Sequence, residues 1–228
     1  MLVGATSAAL GLSAIAQAGA LQLNAYTDPP ALPFSIVLGT PTPITTSPGA
    51  GAFSGFYGPV SPPTDPIIVW CFELNQPFNF GTLYTDYTQV IDAHAYSGVT
   101  AALSELFFAA GGISGATLNN VTSAAFQLAV WEIKYDAGGP YNLAAGNFKV
   151  TGGDAGAISQ ANTWLGALDP TKSDAYTIFE YQSPEHQDFV AGFATPKLVV
   201  PEPSPLPLLG AGLAVMMLAM RRRSGKQI

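Results

Sequence analysis

The chain has 228 residues, of which 48% are hydrophobic and only 10% charged. With the two apolar ends set aside, about 180 residues remain, enough for one domain with its own core and short for two. Before Pro201 there are fourteen acidic residues, Asp28 to Asp188, against Lys134, Lys149, Lys172 and Lys197, with no arginine. Such a surface repels phosphate backbones, which excludes nucleic acid as a partner, and it offers no basic patch to anionic lipid.

Residues 2 to 18 form an uncharged apolar stretch ending in Ala16-Gln17-Ala18 and then Ala18-Gly19-Ala20, two small-x-small cleavage patterns. Residues 1–20 therefore read as a secretory signal peptide cut after Ala18 or Ala20. A basic n-region is missing, as expected if translation starts further upstream.

Residues 21–66 read as a proline-rich extended start of the ectodomain. Ten of the 19 prolines fall between residues 27 and 66, which argues against a long helix or a central strand there. Phe34 to Leu38 is the best strand candidate in that stretch. Residues 67–196 carry the regular pattern. Ile67 to Glu73 reads as a buried strand and Leu83 to Ile91 alternates as a second. Thr100 to Ala110 reads as a helix stopped by Gly111-Gly112. A second helix, Ser123 to Asp136, is expected to be capped by Thr122, and Gln127, Glu132 and Lys134 are its strongly polar interior positions. A third, Ala155 to Leu168, is expected to be capped by Asp154. Ala175 to Tyr181 and Gln187 to Phe193 read as closing strands. Strands, then helices, then strands predict an α+β fold: an antiparallel sheet or barrel-like core with an inserted helical section.

Residues 197–228 form the tail. Pro207 to Met220 is an uncharged apolar run followed by Arg221, Arg222 and Arg223. At about 1.5 Å per residue it covers on the order of 20 Å of the roughly 30 Å hydrocarbon core, and Leu206 and snorkelling arginines extend it. A transmembrane helix over residues 206–220 is expected, with the arginines cytoplasmic and the domain outside. Val200-Pro201-Glu202-Pro203, the apolar segment and the terminal arginine cluster together resemble the PEP-CTERM sorting signal of Gram-negative, often biofilm-forming bacteria. That resemblance implies a membrane-embedded exosortase as processing partner. It also implies an inner-membrane-anchored precursor and, after processing, display on the outer surface or in the extracellular matrix.

Cys71 is the only cysteine, in a chain expected to enter an oxidising compartment, where an unpaired thiol calls for explanation. One account is a buried thiol packing as a small hydrophobe. Another starts from Gln127, whose carboxamide on an apolar helix costs about 1–3 kcal/mol unless it is hydrogen-bonded. Trp70-Cys71-Phe72-Glu73 and Phe126-Gln127-Leu128-Ala129-Val130-Trp131 resemble the paired Cys and Gln elements of the thioester domains of bacterial surface adhesins, with Phe126 where that pattern has threonine. The resemblance covers Ile67 to Asp136 and implies a Cys71–Gln127 thioester that acylates an amine on a partner, either a surface protein or a polysaccharide. Trp70, Phe72, Phe126 and Trp131 are expected to shield it from water.

His94 and His186 lack metal-ligand spacing, so no zinc is expected, and nothing calls for a cofactor. No nucleophile elbow, phosphate loop or paired-carboxylate signature supports an enzyme. Asn120-Val121-Thr122 fits a glycosylation sequon, although a helix cap explains Thr122 better. The alternative to covalent chemistry is a structural or matrix-associated surface protein displayed by the same tail.

Overall fold

The computed structural model describes residues 16–93 and 98–196. In chain order the strands are β1 (Ala16–Tyr26), β2 (Leu32–Pro33), β3 (Ser35–Leu38), β4 (Ile44–Thr46), β5 (Gly49–Ala50), β6 (Phe53–Gly58), β7 (Asp65–Cys71) and β8 (Leu83–Ile91). Helices α1 (Val99–Ala109), α2 (Gly112–Ala116) and α3 (Asn120–Tyr135) follow, then β9 (Phe148–Gly152), α4 (Ala155–Gly166), β10 (Tyr176–Gln182) and β11 (Phe189–Ala194). All of them fall in one compact unit, Met1–Thr195. Six strands close an antiparallel barrel in the order β1-β6-β7-β11-β10-β8, and β8 pairs back onto β1. The fold is α+β, with the helices inserted between β8 and β10 and β9 joining β3 and β4 in a small side sheet.

Strand alternation sorts the barrel residues. Phe53 faces Val69, Phe189 faces Cys71 and Tyr181 faces Phe189, and directly opposed residues share a face. These side chains line the interior. Trp70, Val190 and Ile178 point outward yet are buried, because helices cover that side. Gly192 on β11 shows how closely: a Cβ there would meet the Phe107 ring of α1 at 2.5 Å.

Strands β6 and β1 depart from the sequence expectation. β6 is a central barrel strand inside the proline-rich stretch, flanked by β1 and β7. It forms because Phe53–Gly58 contains no proline, the nearest being Pro48 and Pro59, so every residue keeps its N–H for the ladder. β1 begins at Ala16, and Ala16 to Gly19 pair with Val90 to Tyr87 of β8. Cleavage after Ala18 or Ala20 would remove the first three or five residues of this strand and leave Leu21–Tyr26 paired with β6. The folded unit thus reaches well before residue 67.

α3 starts three residues earlier than expected. Asn119 is its N-cap, accepting from Thr122 N at 3.0 Å, while the Thr122 hydroxyl takes the Asn119 N–H at 3.0 Å. Thr122 is therefore the reciprocal partner in a capping box rather than the cap itself. Asp154 caps α4 as expected, accepting from Ala157 N at 2.8 Å. No helix among the described residues is long and apolar enough to cross a membrane. The expected span 206–220, the expected sorting residues Val200, Pro201, Glu202, Pro203, Arg221, Arg222 and Arg223, and residues 1–15 of the expected signal peptide lie outside the described residues.

Candidate functional site

The last rung of β7 brings Cys71 and Gln127 together. Phe72 N donates to Asp188 O at 2.8 Å, toward β11. Peptide groups alternate sides along a strand, so the N–H and C=O of Cys71 point the other way, toward β6. But β6 pairs with β7 only as far as Phe53 opposite Val69. Before that point Ala52 N donates to Ser123 Oγ of α3 at 2.7 Å, while Ala52 O accepts from Thr27 N at 2.9 Å and carries the β1 ladder one rung further. The Gln127 side chain fills the gap. Cys71 N donates to Gln127 Oε1 at 2.8 Å, and Gln127 Nε2 donates to Cys71 O at 2.7 Å. The carboxamide acts as a one-residue strand partner, and only this orientation sets its acceptor against the N–H and its donors against the C=O.

Gln127 is 0% exposed and Cys71 7%. Burial, with the nearby Glu73 charge, pushes the Cys71 thiol well above the usual cysteine range, so it rests protonated. The Cys71 N–H, 2.8 Å from Oε1, stands within the range required to steady negative charge on that oxygen during attack at the carboxamide carbon.

The four expected shielding residues are all buried. Trp70 and Phe126 lie 4.5 Å apart between ring centroids, and Phe107 packs against both, at 5.7 and 4.7 Å. Trp70 Nε1 donates to Ser123 O at 3.4 Å, tying β7 to the first turn of α3. Phe72 lies under Lys134, whose Nζ is 3.9 Å from the ring centroid. Trp131 meets Phe148 of β9 at 6.2 Å. Trp70, Phe107 and Phe126 form one layer on the helix side of β7. The Cys71 side chain belongs to the opposite face, where Phe189 meets Phe78, Phe53 and Tyr87 at 5.2, 5.9 and 6.1 Å. Sequence reasoning missed this interior layer, though strand alternation carried the signal: Val69 shares a face with Cys71, and Trp70 and Phe72 do not.

Of the remaining candidates, His186 Nε2 sits 4.0 Å from Asp86 Oδ2 and its ring packs on Tyr84. His94 lies outside the described residues, and among these no group of three or more His, Cys, Asp or Glu could hold a metal ion. Glu132 is fully buried. One of its oxygens accepts from Asn142 N at 2.6 Å and the other has no partner. Burial pushes its carboxyl up to about 7, against the pull of the Asn142 N–H and with a small addition from Asp136.

In comparisons with known proteins, the chain matches no family model, no curated protein and no solved structure.

Proposed function

We propose that this is an exported surface protein, anchored and sorted by its C-terminal tail, whose domain carries a Cys71–Gln127 thioester that acylates amines on a partner. The supporting observation is the two-point contact between the Gln127 carboxamide and the Cys71 backbone, which joins residues 56 positions apart in a site closed to water. In the first step Cys71 Sγ attacks the Gln127 carboxamide carbon and the C–N bond breaks. The thiol proton leaves with the nitrogen as ammonia, so no free thiolate is required. In the second step an incoming primary amine attacks the same carbon, the C–S bond breaks, and the amine proton returns to sulfur, giving an amide and a free Cys71 thiol. The domain reacts once and does not turn over.

Loss of ammonia makes the chain about 17 Da lighter than its sequence mass by the stoichiometry of the step. Methylamine is expected to add its own mass and to release one titratable thiol. Cys71→Ala and Gln127→Ala should each abolish both effects. An unmodified intact mass, with Cys71 titrating upon unfolding, would falsify the thioester.

A second reading has its own support. Both polar atoms of the carboxamide have a hydrogen-bond partner without any covalent bond, so Gln127 also suits a non-covalent surface or matrix protein in which it only completes the edge of β7.

A further inference from the structure

Export requires a cut near the start of the chain, and the barrel limits where that cut can fall. Ala14-Ile15-Ala16 is a third small-x-small pattern, two residues before Ala16-Gln17-Ala18, and it directly follows the apolar run from Leu2. A cut after Ala16 removes one rung of the ladder, Ala16 opposite Val90. A cut after Ala18 also removes Gln17 and Ala18, which lie opposite Gln89 and Thr88. With Gln17 goes the carbonyl that accepts from the Tyr57 hydroxyl at 2.7 Å. That hydroxyl lies in the seam between β1 and β8, where it also takes the Gln89 N–H at 3.1 Å. Tyr57 is buried, so the cut leaves a buried donor without the acceptor it now uses. A cut after Ala20 goes deeper. It removes Gly19 and Ala20, opposite Tyr87 and Gly58, and creates an ammonium group on Leu21, which is 0% exposed, where an unpaired charge is costly. Gln17 is exposed, and an ammonium group formed there stays in water.

We propose that signal peptidase hydrolyses the Ala16–Gln17 bond, so that the mature chain begins on Gln17; the proposal rests on the export reading and is independent of the thioester. Water adds across the peptide bond, leaving a carboxylate on Ala16 of the released peptide and an α-amine on Gln17. That amine lies next to its own residue's carboxamide, and the glutamine closes on itself. The amine nitrogen attacks Cδ, the Cδ–Nε2 bond breaks, and ammonia leaves with a proton from the amine, giving a pyroglutamyl lactam. The lactam sheds the terminal charge and keeps the Gln17 carbonyl for Tyr57. The loss is about 17 Da by the stoichiometry of the step, the same as for a thioester at Gln127, so the mass must be assigned to a peptide and not to the whole chain.

The test expresses the full chain in a Gram-negative host with a short lysine leader ahead of Leu2, which supplies the basic n-region. The N-terminal peptide of a chymotryptic digest is then read by mass spectrometry. It is expected to begin at Gln17 and to be lighter than its sequence by one ammonia, with no response to methylamine or to Gln127→Ala. Gln17→Ala should keep the cut and abolish the loss from this peptide, leaving any methylamine-sensitive loss at Gln127 in place. Ala18→Asp, at an exposed position, puts a charge into both later patterns and should leave the fraction processed as in the parent. A mature chain that starts at Gly19 or Leu21, or an Ala18→Asp variant that stays uncut, would overturn the site while the export reading stands. A parent chain that stays uncut overturns both. A Gln17 terminus that remains an open amine keeps the site and rejects the lactam.

Discussion

Strand β7 carries aromatic rings on both faces, and the two layers differ in what they touch. On the helix side Trp70, Phe107 and Phe126 lock α1 and α3 onto the barrel. On the interior side Phe189, Phe53, Phe78 and Tyr87 surround the face from which the Cys71 side chain projects. Both layers exclude water, but only the interior one does so next to sulfur. Rings adjacent to a residue in sequence are thus not the rings on its own face when that residue lies in a strand.

The difference can be broken by truncating one ring from each layer. Phe126→Ala and Phe189→Ala each remove a fully buried phenyl ring and are expected to cost about 3–5 kcal/mol in denaturant unfolding. The two should part in the chemistry. The proposed methylamine-sensitive acyl group should decay faster in folded Phe189→Ala than in the parent, and at the parental rate in folded Phe126→Ala. Equal acceleration by both would return the shield to the helix side.

A smaller effect sharpens the contrast through pH. Glu132 belongs to the helix layer, and its folded carboxyl titrates at about 7 instead of 4.5. The folded state therefore prefers the protonated acid. Its contribution is complete below pH 4.5 and is lost as pH rises through 7, a swing of about 3 kcal/mol. Glu132→Gln should flatten that part of the stability profile while leaving the rate at which methylamine releases the Cys71 thiol unchanged. Burial pushes the Asp188 carboxyl up as well, to about 6, so a shallower slope of the same sign should survive in the variant. A variant as steep as the parent would remove Glu132 from the account.

Much of the fold was legible because periodicity and caps act locally. The helix signals at residues 100, 123 and 155 and the strands at 67, 83, 175 and 187 all correspond to elements, with ends displaced by a few residues. Where the displacement was largest, at α3, Asn119 and Thr122 form a reciprocal pair and either alone reads as a cap. β1 was obscured because Ala16-Gln17-Ala18-Gly19-Ala20 has the small residues of a cleavage site, whereas in the barrel Gly19 is small because the Tyr57 ring occupies the space of a Cβ, 2.6 Å away. β6 was hidden by prolines that bracket it without entering it. The Cys71–Gln127 pairing came from resemblance to a two-part motif, since no local rule joins a strand end to a helix 56 residues later. That β6 departs one rung early, so that Cys71 needs a side chain as partner, belongs to the tertiary structure alone.

The two hydrogen bonds at Cys71 also bear on which product of the proposed reaction is favoured. Forming the thioester expels Nε2, and with it the donor that Cys71 O accepts at 2.7 Å. A carbonyl left buried without a donor costs about 1–3 kcal/mol, so the thioester sits uphill of a state in which an N–H is restored. Only ammonia restores it in full, because a primary amide carries a hydrogen on the Oε1 side of its nitrogen, the position that the substituent occupies in a trans secondary amide. Hydrolysis instead leaves a carboxylate facing the carbonyl oxygen, acceptor against acceptor, and a secondary amine gives a tertiary amide with no hydrogen to offer. The edge of β7 thereby ranks its own products, and the carboxamide regenerated by ammonia should leave the domain more resistant to denaturant than either the dimethylamine adduct or the hydrolysed acid. Equal resistance of all three would show that the ladder is indifferent to what fills its last rung.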